Sequence, residues 1–577
     1  MKISVGVNVG HDASIAVLNY ENDARGNLVV YEAERFSKIK HQEYFPIQAI
    51  PQIMAEVKDV WKTPSHNFAI CCNEIGTTVK ERLFIQKKDY TQALKSLRAE
   101  NFSKILNNNI TDISHHLCHA YSALYFSPYE EAIIVVADGV GSNGDVYKES
   151  LNDYSTDEQP EKVTKKNFES ISIYHQKNGS LTLIEKTWGE YLPYLQPDIF
   201  LNHGLGSYYT AAANYIFANW HEAGKVMGLS AFGENQCHDD KLFEYLESEF
   251  KKERNIYKGQ KLFNEQPKND FKRSADIAKT LQHYFEKKMI SLVKKLKADF
   301  PLIENLILTG GCALNCLTNS ILVNNKIFKN IYIPPCPNDE GISLGAAFYK
   351  SLNGGLTKFR PYPIQDQNPF LGSQRILTEL ENHNKIKEIF NDYEVSYQAD
   401  PTQRAAELIC DGELIAWFQG RSECGPRALG NRSILGLPSK PGLKNYLNQY
   451  IKCREDFRPY GCSVTKEDAH RYFESPKDYE MPYMSFAPKV IEQQKHLLTQ
   501  VTHLDNTCRI QTVSKEQNLL YYQLIKKIEG ISGHPLVLNT SLNIMGQPIL
   551  ESIKDAHAFF QSSKMKHLFL GNLYISK

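Results

Sequence analysis

Apolar and polar positions follow two different periods over the first 350 or so residues of the chain. Short β-branched or apolar runs, the pattern of strands, occur at Ile3 to Val9, Ser14 to Leu18, Leu28 to Glu32, Ala132 to Ala137, Leu306 to Leu308 and Ile331 to Ile333. Longer stretches that place apolar residues on one helical face lie at His116 to Phe126, Tyr208 to Ala218, Ser274 to Lys297 and Gly341 to Lys350. Alternation of this kind predicts an α/β fold with a mixed sheet. The polar stretch Asn152 to Lys166 reads as a surface loop. A Gly/Pro-rich segment, Gly354-Gly355 through Pro361-Tyr362-Pro363, marks a domain boundary, which divides the chain into residues 1–355 and 356–577. The second part opens again with a strand, Glu413 to Phe418, followed by a basic loop. No internal repeat or low-complexity tract is visible in the sequence.

A chain of 577 residues is too long for one core, which agrees with the two-part division. Lys plus Arg equals Asp plus Glu, at 66 each, so no global field points to nucleic acid or to a membrane surface. Anion binding must then come from local clusters. The 12 cysteines are scattered without a CxxC pair, which argues against a zinc ribbon and against a secreted disulfide framework. The first residues read as a strand ending in a polar turn rather than a signal peptide, and no apolar run reaches the ~18 residues of a membrane span. A cytoplasmic location is the expectation, with a homodimer left open.

Three separated pieces of sequence supply ligand-type side chains. Ser114-His115-His116-Leu117-Cys118-His119 carries His115 and His119 at i and i+4, which a helix places on one face about 5–6 Å apart at Cβ. Asp138 ends the run Ala132 to Ala137, and Asp339 lies in Asn338-Asp339-Glu340-Gly341. Two His and two Asp make a mixed N/O site suited to Fe(II), Mn(II) or Zn(II) rather than calcium. Gly6 to Ser14 reads as strand, tight turn, strand, with His11 and Asp12 at the tip. Leu306 to Asn315 runs strand, Gly310-Gly311, helix, which turns backbone N–H groups toward an anion. Lys225 is either a phosphate ligand or a solvated lysine.

The densest chemistry lies in the second part. Gly420 to Ser433 holds Arg421, Arg427 and Arg432 among glycines, and Lys452, Arg454 and Arg458 follow. Arginine forks bind phosphate bidentately and lysine adds a point charge. Arg509, after Asn506-Thr507-Cys508, and Ser541, in Leu538-Asn539-Thr540-Ser541-Leu542-Asn543, complete the set.

These motifs resemble a known family. The His115, His119, Asp138, Asp339 set and the opening Gly10-His11-Asp12-Ala13-Ser14, with Glu34-Arg35-Phe36 and Lys40-His41, are similar to the actin-like ATPase superfamily. They resemble in particular its branch shared by threonylcarbamoyl-adenosine transferases and O-carbamoyltransferases. Gly425-Pro426-Arg427-Ala428-Leu429-Gly430-Asn431-Arg432-Ser433 resembles the threonylcarbamoyl-AMP-synthase-like domain of NodU/CmcH-type carbamoyltransferases. Two departures stand out: Arg458-Pro459-Tyr460 is followed by Gly461-Cys462 rather than Ala-Pro, and His503 to Arg509 reads H-L-D-N-T-C-R where the family tends to H-x-D-G-T-A-R.

The resemblance implies a two-lobed actin-like N-terminal domain joined to a smaller α/β C-terminal domain. It implies an ATP-dependent O-carbamoyltransferase that makes carbamoyl-adenylate from carbamoyl phosphate and ATP, with Mg2+ accompanying the nucleotide, then carbamoylates a hydroxyl of a small natural product. Arg427, Lys452 and Arg458 would neutralise phosphates, and Arg509 and Ser541 would position the carbamoyl group. Arg432, Arg454, Asp12 and Lys225 would join the nucleotide and carbamoyl phosphate sites. In the N-terminal domain the metal, Fe(II) by family implication, would sit on His115, His119, Asp138 and Asp339. Gly310, Gly311 and Asn315 would hold the nucleotide, and His11 would act as general base. The acceptor pocket is expected between Trp188 and Ser207, with Tyr191, Tyr194 and His203. Rival readings are a threonylcarbamoyl transferase acting on tRNA, which balanced charge disfavours; a hydrogenase-maturation enzyme, which would carry CxxC pairs; and a non-enzymatic actin-like module, which would not need the arginine-rich second half.

Overall fold

The computed structural model describes residues 2–10, 12–21, 24–42, 66–72, 110–142, 167–190, 204–234, 270–356, 360–477 and 479–577. Its first half contains two five-stranded mixed sheets. In the first, β1 (Lys2–Val9) is central. It pairs antiparallel with β2 (Ser14–Glu21), which pairs antiparallel with β3 (Ala24–Glu32). On its other side β4 (His66–Cys72) and β5 (Ile110–Asp112) follow in parallel. The second sheet repeats this plan. Central β6 (Glu131–Ala137) has antiparallel β7 (Asn167–Lys177) and β8 (Ser180–Glu190) on one side. Parallel β9 (Asn305–Thr309) and β10 (Asn330–Tyr332) lie on the other.

Counted within each lobe, both sheets have the order 3-2-1-4-5. The duplication escaped the sequence because it lives in topology, which many unrelated apolar patterns satisfy, and not in matching residues. Two mixed α/β lobes of this kind are the actin-like arrangement that the motifs implied.

Strand β6 shows why its sequence is continuously apolar: Ala132 to Val136 are each 0% exposed, buried on both faces. The helix Ile342–Asn353 packs on β1 and on the helix His115–Phe126. Gly345 makes the helix contact possible, because a Cβ there would lie 1.8 Å from the Cys118 carbonyl oxygen. The two helices that carry or follow the predicted metal ligands are therefore locked together.

The remaining strands form one eight-stranded mixed sheet of order β11-β18-β17-β12-β13-β16-β14-β15, drawn from residues 394–576. Here β11 is Glu394–Tyr397, β12 Ile415–Phe418, β13 Arg432–Gly436 and β14 Gly461–Thr465. They are followed by β15 (Arg509–Val513), β16 (Leu536–Ser541), β17 (His567–Leu570) and β18 (Leu573–Ser576). One apolar cluster runs from Ile133 and Leu308 through to Leu538 and Ile575, so the halves share a continuous packed seam. Polar contacts cross it too: Asn319 donates to the Ser485 carbonyl at 2.8 Å, and Tyr479 Oη to the Ile331 carbonyl at 2.6 Å. Among the described residues no helix is long and apolar enough to cross a membrane. The polar stretch Asn152 to Lys166 lies outside the described residues.

Candidate active site

Ser114 caps the helix His115–Phe126, its side chain accepting the Leu117 N–H at 3.2 Å. Ser142 Oγ accepts the His115 N–H at 2.9 Å. This fixes the first turn, and one turn carries both histidines inward: His115 is 1% exposed and His119 0%. Their Nε2 atoms lie 3.1 Å apart. Asp138, arriving from the end of β6, puts Oδ2 at 2.7 Å from His115 Nε2 and 3.7 Å from His119 Nε2. Asp339 Oδ1 lies 3.5 and 3.3 Å from the same two nitrogens.

All four donor atoms fall within 4.8 Å of one another. A metal with bonds of about 2.0–2.2 Å and angles between right and tetrahedral separates neighbouring donors by roughly 2.9–3.5 Å. Most of these separations fall in or close to that range, so the four residues fit a divalent transition ion. Burial acts against charge on Asp138, but hydrogen bonds from His115 and His119 override it and hold the carboxyl well below its ordinary range.

A second buried pair steadies this centre. Glu169 on β7 accepts the N–H of His116 at 3.1 Å and of Ser142 at 2.9 Å, and pairs with Lys186 on β8. Burial pushes the Glu169 carboxyl up, yet Lys186, His116 and the Ser142 N–H together outweigh it and bring it down to about 2. The adjacent His116 turns away, its Nδ1 2.8 Å from Ser172 Oγ.

A cavity of about 490 Å³ opens beside the cluster. Asp138 and Asp339 border it, as do Asp12, His41, Gly311, Asn315 and, from the second half, Arg427. Part of its wall is an aromatic stack. The His41 and His221 rings lie 4.6 Å apart at 13°, and the His221 and Trp220 rings 3.6 Å apart at 28°.

Gly310 has φ +86 and would set a Cβ 2.3 Å from the Ala137 carbonyl oxygen, so only glycine turns the chain there. The Gly311 N–H donates to Asp138 Oδ1 at 3.0 Å. Asn315 caps the helix Cys316–Asn325 through the Thr318 N–H and donates to Tyr209 Oη and Gln282 Oε1, each at 3.0 Å. The turn expected to cradle an anion thus orients a ligand carboxylate, while Gly311 and Asn315 remain on the cavity wall.

The cations of the second half lie near enough to one another to interact electrostatically. Lys452, 3% exposed, donates to the Ser541 carbonyl and to Asn543 Oδ1 at 2.6 Å, with Ser541 Oγ at 3.3 Å. Burial first, then Arg454 and Arg458, hold its ammonium well below the ordinary lysine range. Arg427 is pushed down by burial and by Arg509 and Arg458. Arg509 is pushed down by burial and then by Arg458, and its buried Nε has no hydrogen-bond partner among the described residues. Arg454 stacks 3.9 Å over Tyr460. Buried cations that depress one another electrostatically favour a neighbouring negative charge.

Two expected phosphate ligands are placed elsewhere. Arg432 is 0% exposed and donates to the carbonyls of Gln419, Asn431, Gly420 and Leu550, at 2.6, 3.1, 3.0 and 3.1 Å. Its guanidinium also lies 3.5 Å over the Phe418 ring. It is an internal brace and has no fork left for a phosphate. Lys225 pairs with Glu455 at 2.6 Å and Glu222 at 3.1 Å and is 10% exposed, so it is not a solvated lysine.

His11, Tyr191, Tyr194 and His203 lie outside the described residues; Ser207 borders the cavity. The sequence reading missed Trp220, and Glu32 with the structural side of Arg35. Arg35 Nη2 donates to the Gly425 carbonyl at 3.0 Å and Glu32 Oε1 accepts the Gly425 N–H at 3.0 Å, clamping the loop that carries Arg427. The block Glu34-Arg35-Phe36 was a signal for this clamp, but nothing in the sequence says that its partner is 390 residues away.

The carbamoyltransferase N-terminus family matches residues 73–348, and the carbamoyltransferase C-terminus family matches residues 406–577. Nodulation protein NolNO of Sinorhizobium fredii is 30% identical over 100% of this chain and 82% of its own length. Nodulation protein NolO of Bradyrhizobium diazoefficiens is 29% identical over 81% of this chain and 79% of its own length. A 3'-hydroxymethylcephem-O-carbamoyltransferase of Amycolatopsis lactamdurans is 29% identical over 62% of this chain and 65% of its own. With the His/Asp cluster, the cation set and both family halves in one chain, this protein belongs to the carbamoyltransferase family and is a carbamoyltransferase enzyme.

Proposed function

We propose that this carbamoyltransferase works in two steps, with carbamoyl-adenylate between them, and that its acceptor is a hydroxyl group on a small molecule. In the first step carbamoyl phosphate, water and ATP give carbamoyl-adenylate, pyrophosphate and inorganic phosphate. Arg427, Lys452 and Arg458 neutralise the phosphates, Arg454 adds charge at the same place, and Arg509 and Ser541 position the carbamoyl group; this is electrostatic positioning rather than covalent catalysis. In the second step the acceptor oxygen takes the carbamoyl group and AMP leaves.

His115, His119, Asp138 and Asp339 would hold an Fe(II), Mn(II) or Zn(II) ion, which supplies positive charge for an adenylate phosphate. Asp12 and Asn315 border the space for the nucleotide and acceptor. The observation that carries this reading is that Arg427, from the cationic half, borders the same cavity as Asp138 and Asp339. An adenylate made among the cations then has a short way to the His/Asp centre without meeting bulk water, where it would hydrolyse. The cephem O-carbamoyltransferase among the relatives supports a hydroxyl acceptor. Its own acceptor is not carried over to this chain.

The test is to incubate the purified protein with ATP, carbamoyl phosphate and an added hydroxylated small molecule and analyse the nucleotides. AMP and pyrophosphate in equal amounts are expected. ADP in place of AMP, or phosphate release with ATP untouched, would overturn the two-step reading.

A further inference from the structure

We propose that Glu32 and Arg35 are positioning residues that hold the Arg427 loop against the first lobe and so keep carbamoyl-adenylate inside the protein between the two steps. The inference rests on the two-step reading above.

The pair sits where β3 runs into the short helix Ala33–Ser37. Glu32 is 8% exposed and Arg35 3%, and Arg35 Nε donates to Glu32 Oε2 at 3.1 Å. The other atoms of both groups reach into the second half of the chain. Glu32 Oε1 accepts the Gly425 N–H at 3.0 Å. Arg35 Nη2 donates to the carbonyls of Glu423 and Gly425, at 3.2 and 3.0 Å. Gly425 is thus gripped at its N–H and at its carbonyl by two residues of the first lobe.

The grip acts two residues before Arg427, which borders the cavity shared with Asp138 and Asp339. Gly425 has φ +95, and a Cβ there would lie 3.2 Å from Glu340 Oε1 and 3.3 Å from the Pro335 carbonyl oxygen. The turn therefore lies directly on the segment that carries Asp339. The far side of the loop is fixed as well, because Glu423 Oε1 accepts the N–H groups of Leu429, Asn431 and Arg432 at 2.8, 2.8 and 3.0 Å. A shift of Gly425 moves Arg427 with it, since the loop between these anchors has little slack.

Other contacts already join the halves along β3. The Leu371 carbonyl accepts the Val30 N–H at 2.8 Å, and Arg421 Nη2 donates to the Leu28 and Leu371 carbonyls at 2.8 and 2.7 Å. A buried ion pair adds little to such a joint, because desolvation opposes it. Burial pushes the Glu32 carboxyl up to about 7 although Arg35 lies beside it. Apolar side chains would close the joint as firmly, but they would not fix the orientation of one chosen peptide segment. Paired contacts to the N–H and carbonyl of Gly425 do that.

The test follows pyrophosphate from the full-length protein mixed with ATP and carbamoyl phosphate, without an acceptor. A retained adenylate blocks its own site, so the unsubstituted protein should stop near about one equivalent of pyrophosphate. An adenylate that escapes is hydrolysed by water to carbamate and AMP, the site is freed, and pyrophosphate release continues. Removing one partner alone would strand a buried charge and endanger the fold. Glu32→Gln/Arg35→Met removes both charges together, and Arg35→Lys keeps the charge but not the fork. In both variants the first equivalent of pyrophosphate should form within about threefold of the unsubstituted rate, while continued release rises roughly 10- to 100-fold, the worth of a lost charge-assisted contact. Labelled carbamoyl should stay with the unsubstituted protein through rapid gel filtration and leave both variants.

Variants that stop near one equivalent, as the unsubstituted protein does, would overturn the proposal. A slower first equivalent with no rise in continued release would overturn it too, because the pair would then only support the cation site. Many equivalents from the unsubstituted protein without acceptor would show that nothing is retained, and would also overturn it. No pyrophosphate at all from the unsubstituted protein would sink the two-step reading, and this proposal with it.

Discussion

Lys225 Nζ lies 2.6 Å from Glu455 Oε1, joining the second lobe to the loop that carries the cations of the other half. The Lys225 side chain is 10% exposed and the Glu455 side chain 33% exposed. The pair is partly screened, so its contribution is that of a half-exposed salt bridge, on the order of 1 kcal/mol or less. Lys225→Met should therefore change the KM for ATP by no more than a few-fold and lower the melting temperature slightly, more at low salt than at high. A large rise in the ATP KM would restore Lys225 to the phosphate site.

Arg427 and Arg432, two of the three arginines of the glycine-rich loop, should separate cleanly. Arg432→Lys leaves buried carbonyls without their fork, and the melting temperature should fall by several degrees, with lost activity tracking lost fold. Arg427→Ala should leave melting nearly unchanged and cut AMP formation. A lost charge-assisted phosphate contact costs roughly 1.5–3 kcal/mol, about 10- to 100-fold. Because Arg427 also borders the transfer cavity, supplying ready-made carbamoyl-adenylate should rescue this variant only in part. Full rescue would confine Arg427 to the first step.

Removing one histidine of the cluster should empty it. His115→Ala or His119→Ala should lower bound metal, measured by elemental analysis, to a small fraction of the unsubstituted value. Each variant should keep making pyrophosphate from ATP and carbamoyl phosphate. Full metal content in both would show that the ion sits elsewhere.

Glu169 predicts a pH dependence of stability. Its folded carboxyl titrates at about 2 against an ordinary value of 4.5, so the Lys186 pair stabilises fully above about 4.5 and loses that contribution as pH falls toward 2. Glu169→Gln breaks a buried pair and should cost about 3–5 kcal/mol near neutrality. The difference from the unsubstituted protein should shrink below pH ~4.5, where the unfolded carboxyl begins to hold its proton. A difference that stays constant down to pH ~3 would mean that Glu169 acts through packing alone.

Much of the N-terminal half was legible because the signals are local. The HxxxH spacing and Asp138 at the end of an apolar strand each sit within one element, and all four expected ligands converge. The strands from Ile3, Ser14, Leu28, Ala132, Leu306 and Ile331 appear where the apolar runs place them. The β7–β8 hairpin was missed because many of its residues are polar and its strands read as mixed charge, as in the adjacent Glu185 and Lys186. The repeat of lobe topology was invisible for the reason given above. Residues whose role depends on a distant partner were read wrongly or not at all. Arg432 looked like one more phosphate fork, and only the carbonyls of Gln419 and Leu550 show it to be a brace. Lys225 beside glycines could not announce Glu455.

The most direct test of the account is a rapid-quench experiment on His119→Ala with ATP and carbamoyl-labelled carbamoyl phosphate. The account predicts that carbamoyl-adenylate builds up to about one equivalent per protein, with pyrophosphate released in step and AMP lagging behind. Absence of the adenylate while the unsubstituted protein still turns over, or label passing to product without AMP, would contradict it.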